Sequence, residues 1–172
     1  MRRPGGTRRL WAPWRAPYLK KAAKPPDPSD CFFCDYVRAP RRDRKNLVLV
    51  RGKTCFVVMN RYPYTSGHVL VAPLAHRGAL GELGAAERAE LFDLLLRMER
   101  TLRKALRAHG FNIGINLGRA AGAGVPGHVH FHVVPRWVGD ANFMTTAGAV
   151  RVIPDSLEDL FARLQKSLRN GR

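Results

Sequence analysis

The chain has 172 residues, enough for one domain with a real core, and 45% of them are hydrophobic, an ordinary level for a globular protein. Thirty Lys and Arg against 13 Asp and Glu give a formal charge of +17, a balance that suits polyanions such as nucleotides, polyphosphates or nucleic acid, or a surface of solvated arginines. No apolar run is long enough to span a bilayer, and the N-terminal arginines have no hydrophobic stretch behind them. The expected location is therefore cytoplasmic, although an Arg-rich, acid-poor start is also the composition of a transit peptide.

Residues 1–30 are rich in Arg, Lys and Pro, with Trp11, Trp14 and Tyr18 embedded, and Lys24-Pro25-Pro26-Asp27-Pro28 reads as a stiff linker. This segment is expected to be an extended basic arm, with nucleic acid as a candidate partner. Cys31 and Cys34 follow as a C-x-x-C, and Cys55 in a strand-like run reads as a small buried residue. An odd number of cysteines, three, argues against a disulfide framework.

Runs 47–50, 54–60 and 68–73, rich in Val and Leu and punctuated by Gly and Pro, predict three short strands. Residues 86–108 predict a helix, because Leu91, Leu94, Leu95, Met98, Leu102, Ala105 and Leu106 recur at spacings of three and four, with Gly110 as its stop. Strands near 111–117 and 128–135 flank the glycine-rich stretch Gly118 to Gly124. A final helix is expected from Ser156, with Asp159 completing a capping box and Leu157, Leu160, Phe161, Leu164 and Leu168 as its apolar stripe. The order implies an α+β fold: a five-stranded antiparallel sheet, one long helix and a C-terminal helix. Residues 31–137 form the expected body and 138–172 a C-terminal extension.

The most informative stretch is Gly127-His128-Val129-His130-Phe131-His132-Val133-Val134-Pro135. Side chains alternate along a strand, so His128, His130 and His132 share one face while Val129, Phe131 and Val133 share the other. A row of imidazoles has three readings: coincidence on a surface, a metal site, or a phosphoryl or nucleotidyl transfer centre. The glycine-rich loop before the row favours the third, because loop N–H groups, those of Gly122 and Gly124 among them, can hold phosphate oxygens.

His-Val-His-Phe-His-Val-Val resembles the H-φ-H-φ-H-φ-φ signature of the histidine triad superfamily, φ being hydrophobic. Asn60-Arg61-Tyr62-Pro63 leading to Gly67-His68-Val69-Leu70-Val71-Ala72-Pro73, and Asn116-Leu117-Gly118, are similar to two further blocks of that family, in the same order. The resemblance covers about residues 45–137. It implies that His130 attacks the α-phosphorus and becomes a covalent nucleotidyl-histidine, with the other ring nitrogen donating to the His128 carbonyl. It further implies that His132 and His68 stabilise phosphate oxygens and the leaving group. By the same resemblance Asn116 binds phosphate, Asn60 binds ribose hydroxyls, and Val58 and Leu70 wall the base pocket. Read from the residues alone, His68, Asn60 and Asn116 are also ordinary turn residues, and Val58 and Leu70 ordinary core. One departure stands out: Ala121-Gly122-Ala123-Gly124-Val125 lies where many members carry Gln or Ser, so backbone donors must serve there.

C-x-x-C is also a redox motif, but no βαβ pattern surrounds Cys31. Zinc takes about four N or S ligands, and the resemblance to bacterial members implies the set Cys31, Cys34, His76 and His128, which would split the row between structural zinc at His128 and chemistry at His130. The segment Arg9 to Arg15 and the run Pro135 to Met144 resemble a bacterial branch that includes diadenosine polyphosphate phosphorylases. The implied reaction is transfer or hydrolysis on a diadenosine tetraphosphate-type substrate, with inorganic phosphate or water as acceptor. The implied assembly is a homodimer that joins sheets and pairs the long helix. Alternatives are a deadenylase acting on adenylylated nucleic acid ends, or a non-catalytic nucleotide or RNA binder.

Overall fold

The computed structural model describes residues 31–140, 153 and 155–170. The basic arm at 1–30, with Trp11 and Trp14, and most of the run after Asp140 lie outside the described residues. The elements are α1 (Phe32–Arg38), a 3-10 turn (Pro40–Arg42), α2 (Asp43–Asn46), β1 (Val48–Arg51), β2 (Cys55–Met59) and β3 (Val69–Pro73). After a second 3-10 turn (Leu80–Glu82) come α3 (Ala85–Leu106), β4 (Gly110–Ile115), β5 (Phe131–Arg136) and α4 (Leu157–Arg169). The five strands form one antiparallel sheet in the order β1-β2-β3-β5-β4. No helix among the described residues is long and apolar enough to cross a membrane.

Alternation along the strands divides the sheet into two faces. Cys55, Val57, Met59, Val69, Val71 and Val133 pack with Leu91, Leu94, Leu95, Met98, Leu102 and Leu106 of α3. Leu160, Phe161, Leu164 and Leu168 of α4 enter the same core, so the C-terminal helix is part of the body rather than an appendage. Full burial of each such side chain contributes roughly 1.5–3 kcal/mol. The opposite face, Phe56, Val58, Leu70 and Ala72, is covered by α1 through Cys31 and Phe33. That face carries the histidines.

The expected helices and strands are present with two corrections. The long helix ends at Leu106, not 108, and its cap is Arg107 in the left-handed conformation, φ 53°, while Gly110 opens β4 instead. A left-handed non-glycine residue costs about 1–2 kcal/mol, and the Trp137 indole offsets part of this by donating to the Leu106 carbonyl, 3.3 Å. The ladder of β5 starts at Phe131, so His128 and His130 precede it. His128 sits in a turn, its N–H on the Val125 carbonyl, and Val129 donates to Arg77 instead of to a neighbouring strand. The Ser156 cap is as expected, its hydroxyl accepting from the Asp159 N–H at 3.1 Å.

Two side chains tie the β1–β2 hairpin to the helices around it. Arg51 on β1 grips Asp43 with two nitrogens, 2.8 and 2.6 Å, and donates to the Tyr36 carbonyl at the end of α1, 2.5 Å. This fixes the helix that carries Cys31 and Cys34. Glu90 of α3 receives the N–H groups of Lys53, Thr54 and Cys55 and the Thr54 hydroxyl, which pins the β1–β2 hairpin. Gly52 permits that approach: a Cβ there would lie 2.3 Å from Glu90 Oε1.

Burial alone would raise the Glu90 carboxyl, but the Thr54 hydroxyl and the three N–H groups outweigh it and hold the group down to about 2, from 4.5. Such a depressed carboxyl stabilises the fold above the unfolded value, and its contribution fades as pH falls from about 4.5 toward 2. Glu90→Gln is therefore expected to cost roughly 1.5–3 kcal/mol at pH 7, the range for hydrogen bonds to a charged group. In denaturant titrations the gap from wild type should close in acid; a gap unchanged at pH 3 contradicts the assignment.

Candidate active site and metal centre

Four histidines converge on the α1 face; main-chain groups bear on the protons of His130, His128 and His68, and His68 in turn decides that of His132. His130 Nδ1 lies 2.8 Å from the His128 carbonyl. A carbonyl only accepts, so the proton is on Nδ1 and the Nε2 lone pair is free. His128 Nε2 lies 2.9 Å from the Pro73 carbonyl, which places its proton on Nε2 and leaves the Nδ1 lone pair facing the cysteines. His68 Nδ1 receives the Tyr64 N–H at 3.2 Å and the Asn60 amide at 3.3 Å, so its proton is on Nε2. That proton is donated to His132 Nδ1, 3.0 Å away. His132 therefore carries its own proton on Nε2, an atom that is buried and has no hydrogen-bond partner among the described residues.

The fold supplies each position. His132 pairs with Leu70 on β3 and Gly114 on β4, in mid-sheet. His68 enters just before β3 from Gly67, whose φ of 78° turns the chain and whose missing Cβ would strike Leu106 at 2.3 Å. Phe33 of α1 packs against both His128 and His130, ring centroids 4.9 and 5.0 Å apart. The centroids of His130 and His132 are 5.1 Å apart.

Burial keeps these rings neutral. It pushes His68 down to about 3, helped by the charges of His132 and His130. His132 falls to about 4 by burial and then by His130. His130 is lowered by burial, partly countered by its bond to the His128 carbonyl. A neutral imidazole with one free lone pair is a nucleophile, and a neutral neighbour with a buried, unpaired N–H is a donor for an anionic oxygen.

The expected metal residues come together. One ligand atom from each of Cys31, Cys34, His76 and His128 lies within 4.8 Å of all the others. Cys31 Sγ is 3.3 Å from His128 Nδ1, and Cys34 Sγ is 3.2 Å from His76 Nδ1. All three cysteines are free thiols. Because the Pro73 carbonyl holds the proton of His128 on Nε2, the Nδ1 donor fits a metal, as does the two-sulfur, two-nitrogen set.

The remaining expected residues are placed less directly. Asn60 spends its amide inside the turn, donating to His68 and accepting from the Tyr62 N–H at 2.9 Å. Asn116 directly follows Ile115, whose partner Phe131 directly follows His130, so both residues lie just beyond the end of the ladder. Val58 and Leu70 are 1% and 5% exposed and lie under α1 in the apolar cluster. Gly122 gives its N–H to the Arg119 carbonyl and Ala123 gives its own to Gly118, while Gly124 is exposed on the same loop. Sequence reasoning missed Phe33, the Pro73 carbonyl and Tyr64, whose contacts arise only when distant segments meet.

The comparisons with known proteins agree with this geometry. The family model described as the HIT domain matches residues 41–138. A Mycobacterium tuberculosis protein named AP-4-A phosphorylase is 42% identical over 154 residues, covering 88% of this chain and 79% of that protein. The bis(5'-nucleosyl)-tetraphosphatase (asymmetrical) of Schizosaccharomyces pombe is 37% identical over 93 residues, 54% of this chain and 50% of its own. A zinc-bound histidine triad family protein from Mycobacterium smegmatis superposes with a TM-score of 0.67 at 30% identity, covering 83% of this chain and 95% of its own. The chain belongs to the HIT domain family.

Proposed function

We propose that this protein is a nucleotidyl transferase acting on a dinucleoside polyphosphate of the diadenosine tetraphosphate type. The observation that carries the reading is the pair of fixed tautomers, a bare Nε2 on His130 beside a protonated, unpartnered Nε2 on His132. In the first step the His130 lone pair forms a P–N bond to the α-phosphorus while the P–O bond to the leaving polyphosphate breaks. The His132 N–H, steadied by His68, hydrogen-bonds the phosphate oxygens as charge builds there. In the second step an oxygen of the acceptor forms a P–O bond and the P–N bond breaks, which returns His130. Phosphate as acceptor yields ADP and water yields AMP. The relative named a phosphorylase supports phosphate, and the one named a tetraphosphatase supports the same substrate class. Asn116 is assigned to phosphate by its place, with His130, just beyond the end of the ladder, and the net positive charge draws the anion inward.

We assign zinc to the four-residue set, supported by its donors and by the zinc-bound structural relative. When bound, the metal neutralises the thiolates and ties α1 to His128. A second copy of the chain is the proposed partner. β4 is an edge strand, and Ile113, Phe92 and Leu96 are 46%, 61% and 46% exposed. Arg103, on the α3 stripe of Phe92 and Leu96, sits over Phe111 of β4, so strand edge and helix stripe adjoin.

Incubation with diadenosine tetraphosphate, with and without phosphate, should yield ADP plus ATP in the first case. His130→Ala should lower turnover about a thousandfold or more while nucleotide affinity stays. The absence of any product from wild type, or equal turnover by the variant, contradicts the proposal. Elemental analysis should find about one zinc per chain, and Cys31→Ser should lose most of it; metal-free wild type of full stability would sink that assignment. Light scattering should report a dimer that Ile113→Lys converts to monomer, and a monomeric wild type would refute the pairing.

A further inference from the structure

Tyr64 lies in the turn between β2 and β3 and is 51% exposed. Its ring nonetheless runs parallel to that of His132, 14° between planes with centroids 6.0 Å apart, and rests on His68 at 4.7 Å and 32°. Its backbone N–H is one of the donors at His68 Nδ1. One residue thus touches both rings of the donor pair, through its main chain and through its side chain. Neither the family signature nor the apolar periodicity points to it.

We propose that Tyr64 is a positioning residue for His132, its ring laid over His132 and His68 so that the proton of His68 stays on His132 Nδ1 and that of His132 stays on Nε2. A hydrogen bond at one edge of an imidazole leaves the ring able to pivot about its Cβ–Cγ bond. A flat neighbour across its face removes that freedom, and offset stacks at this separation are attractive. The ring also stands between the pair and water on that side. Among the described residues, the titratable groups against His132 are His68 just before β3, His130 on its own segment and the Tyr64 phenol; its strand partners Leu70 and Gly114 carry no charge. Without the ring, His132 is free to pivot about its Cβ–Cγ bond, its 3.0 Å contact with His68 loosens, water reaches both edges, and both tautomers become populated.

The kinetic consequence rests on the nucleotidyl-transfer reading; the tautomer itself does not. Long-range proton–nitrogen NMR on the full-length, metal-containing protein reads the protonation of each imidazole nitrogen without substrate. Wild type and Tyr64→Phe should show His132 as a single Nε2–H tautomer at pH 7. Tyr64→Ala and Tyr64→Leu should show mixed tautomers, with the His132 protonation midpoint raised by about one unit or more. With diadenosine tetraphosphate, Tyr64→Ala should lower kcat about tenfold with KM changed less than about threefold, and Tyr64→Phe should restore it. If Ala does not fold, Leu supplies the comparison. A pure Nε2–H tautomer with the wild-type midpoint in both Ala and Leu overturns the proposal, as does Phe behaving like Ala. Tautomers as expected in a wild type without turnover would remove the functional reading and leave the Tyr64 assignment standing.

Discussion

The site depends on main-chain groups bearing on which nitrogen is bare in three histidines, and on one of these, His68, passing the choice to the fourth, His132. The His128 carbonyl takes the proton of His130, the Pro73 carbonyl takes that of His128, and the Tyr64 N–H forces the proton of His68 to its far edge. Imidazole has two nearly equivalent tautomers in water, so a side chain alone would not settle the choice. Backbone groups held in a sheet and its connecting turns settle it at no further cost in ordering. One row of similar residues thereby divides into a ring with a bare Nδ1 beside the cysteines, one with a bare Nε2 and one with a protonated Nε2: the proposed metal donor, nucleophile and hydrogen-bond donor.

That division needs the α1 segment to lie across the sheet. Phe33, fully buried, fills the space between Phe56 and the two histidines, and Arg51 locks the end of the helix to β1. The four residues that could hold a metal, Cys31, Cys34, His76 and His128, meet at the same corner. Removing these rings from water then keeps them neutral, so position and protonation follow from the same packing. The opposite face holds the site in place: α3 and α4 bury the alternate residues of the strands and hold the register that brings His132 between Leu70 and Gly114.

Much of this was legible in the sequence. The i, i+3, i+4 spacing of Leu91 to Leu106 set the buried face of α3, and the Ser156–Asp159 pair marked the start of α4. Alternation along His128 to Val133 correctly separated imidazoles from core, because an extended chain alternates whether or not it is laddered. That is also why the ladder's start, three residues later than the row, could not be read: pairing is decided by the neighbouring strand. The α1 helix went unseen because seven residues give too few turns for a periodicity. The Arg107 cap was missed because a residue without glycine's freedom took the left-handed position, with Trp137 meeting the exposed carbonyl. The acceptors that fix tautomers are peptide groups, which any residue carries and no motif records.

His130 Nε2, and no other ring nitrogen, is proposed to meet phosphorus. The most direct measurement is a rapid mix of wild-type protein with diadenosine tetraphosphate, quenched in alkaline denaturant and mapped by peptide mass spectrometry. One adenylyl group is expected on His130 and none on His68, His128 or His132. Turnover with the label on another of these rings, or with no adduct at any quench time, would contradict it.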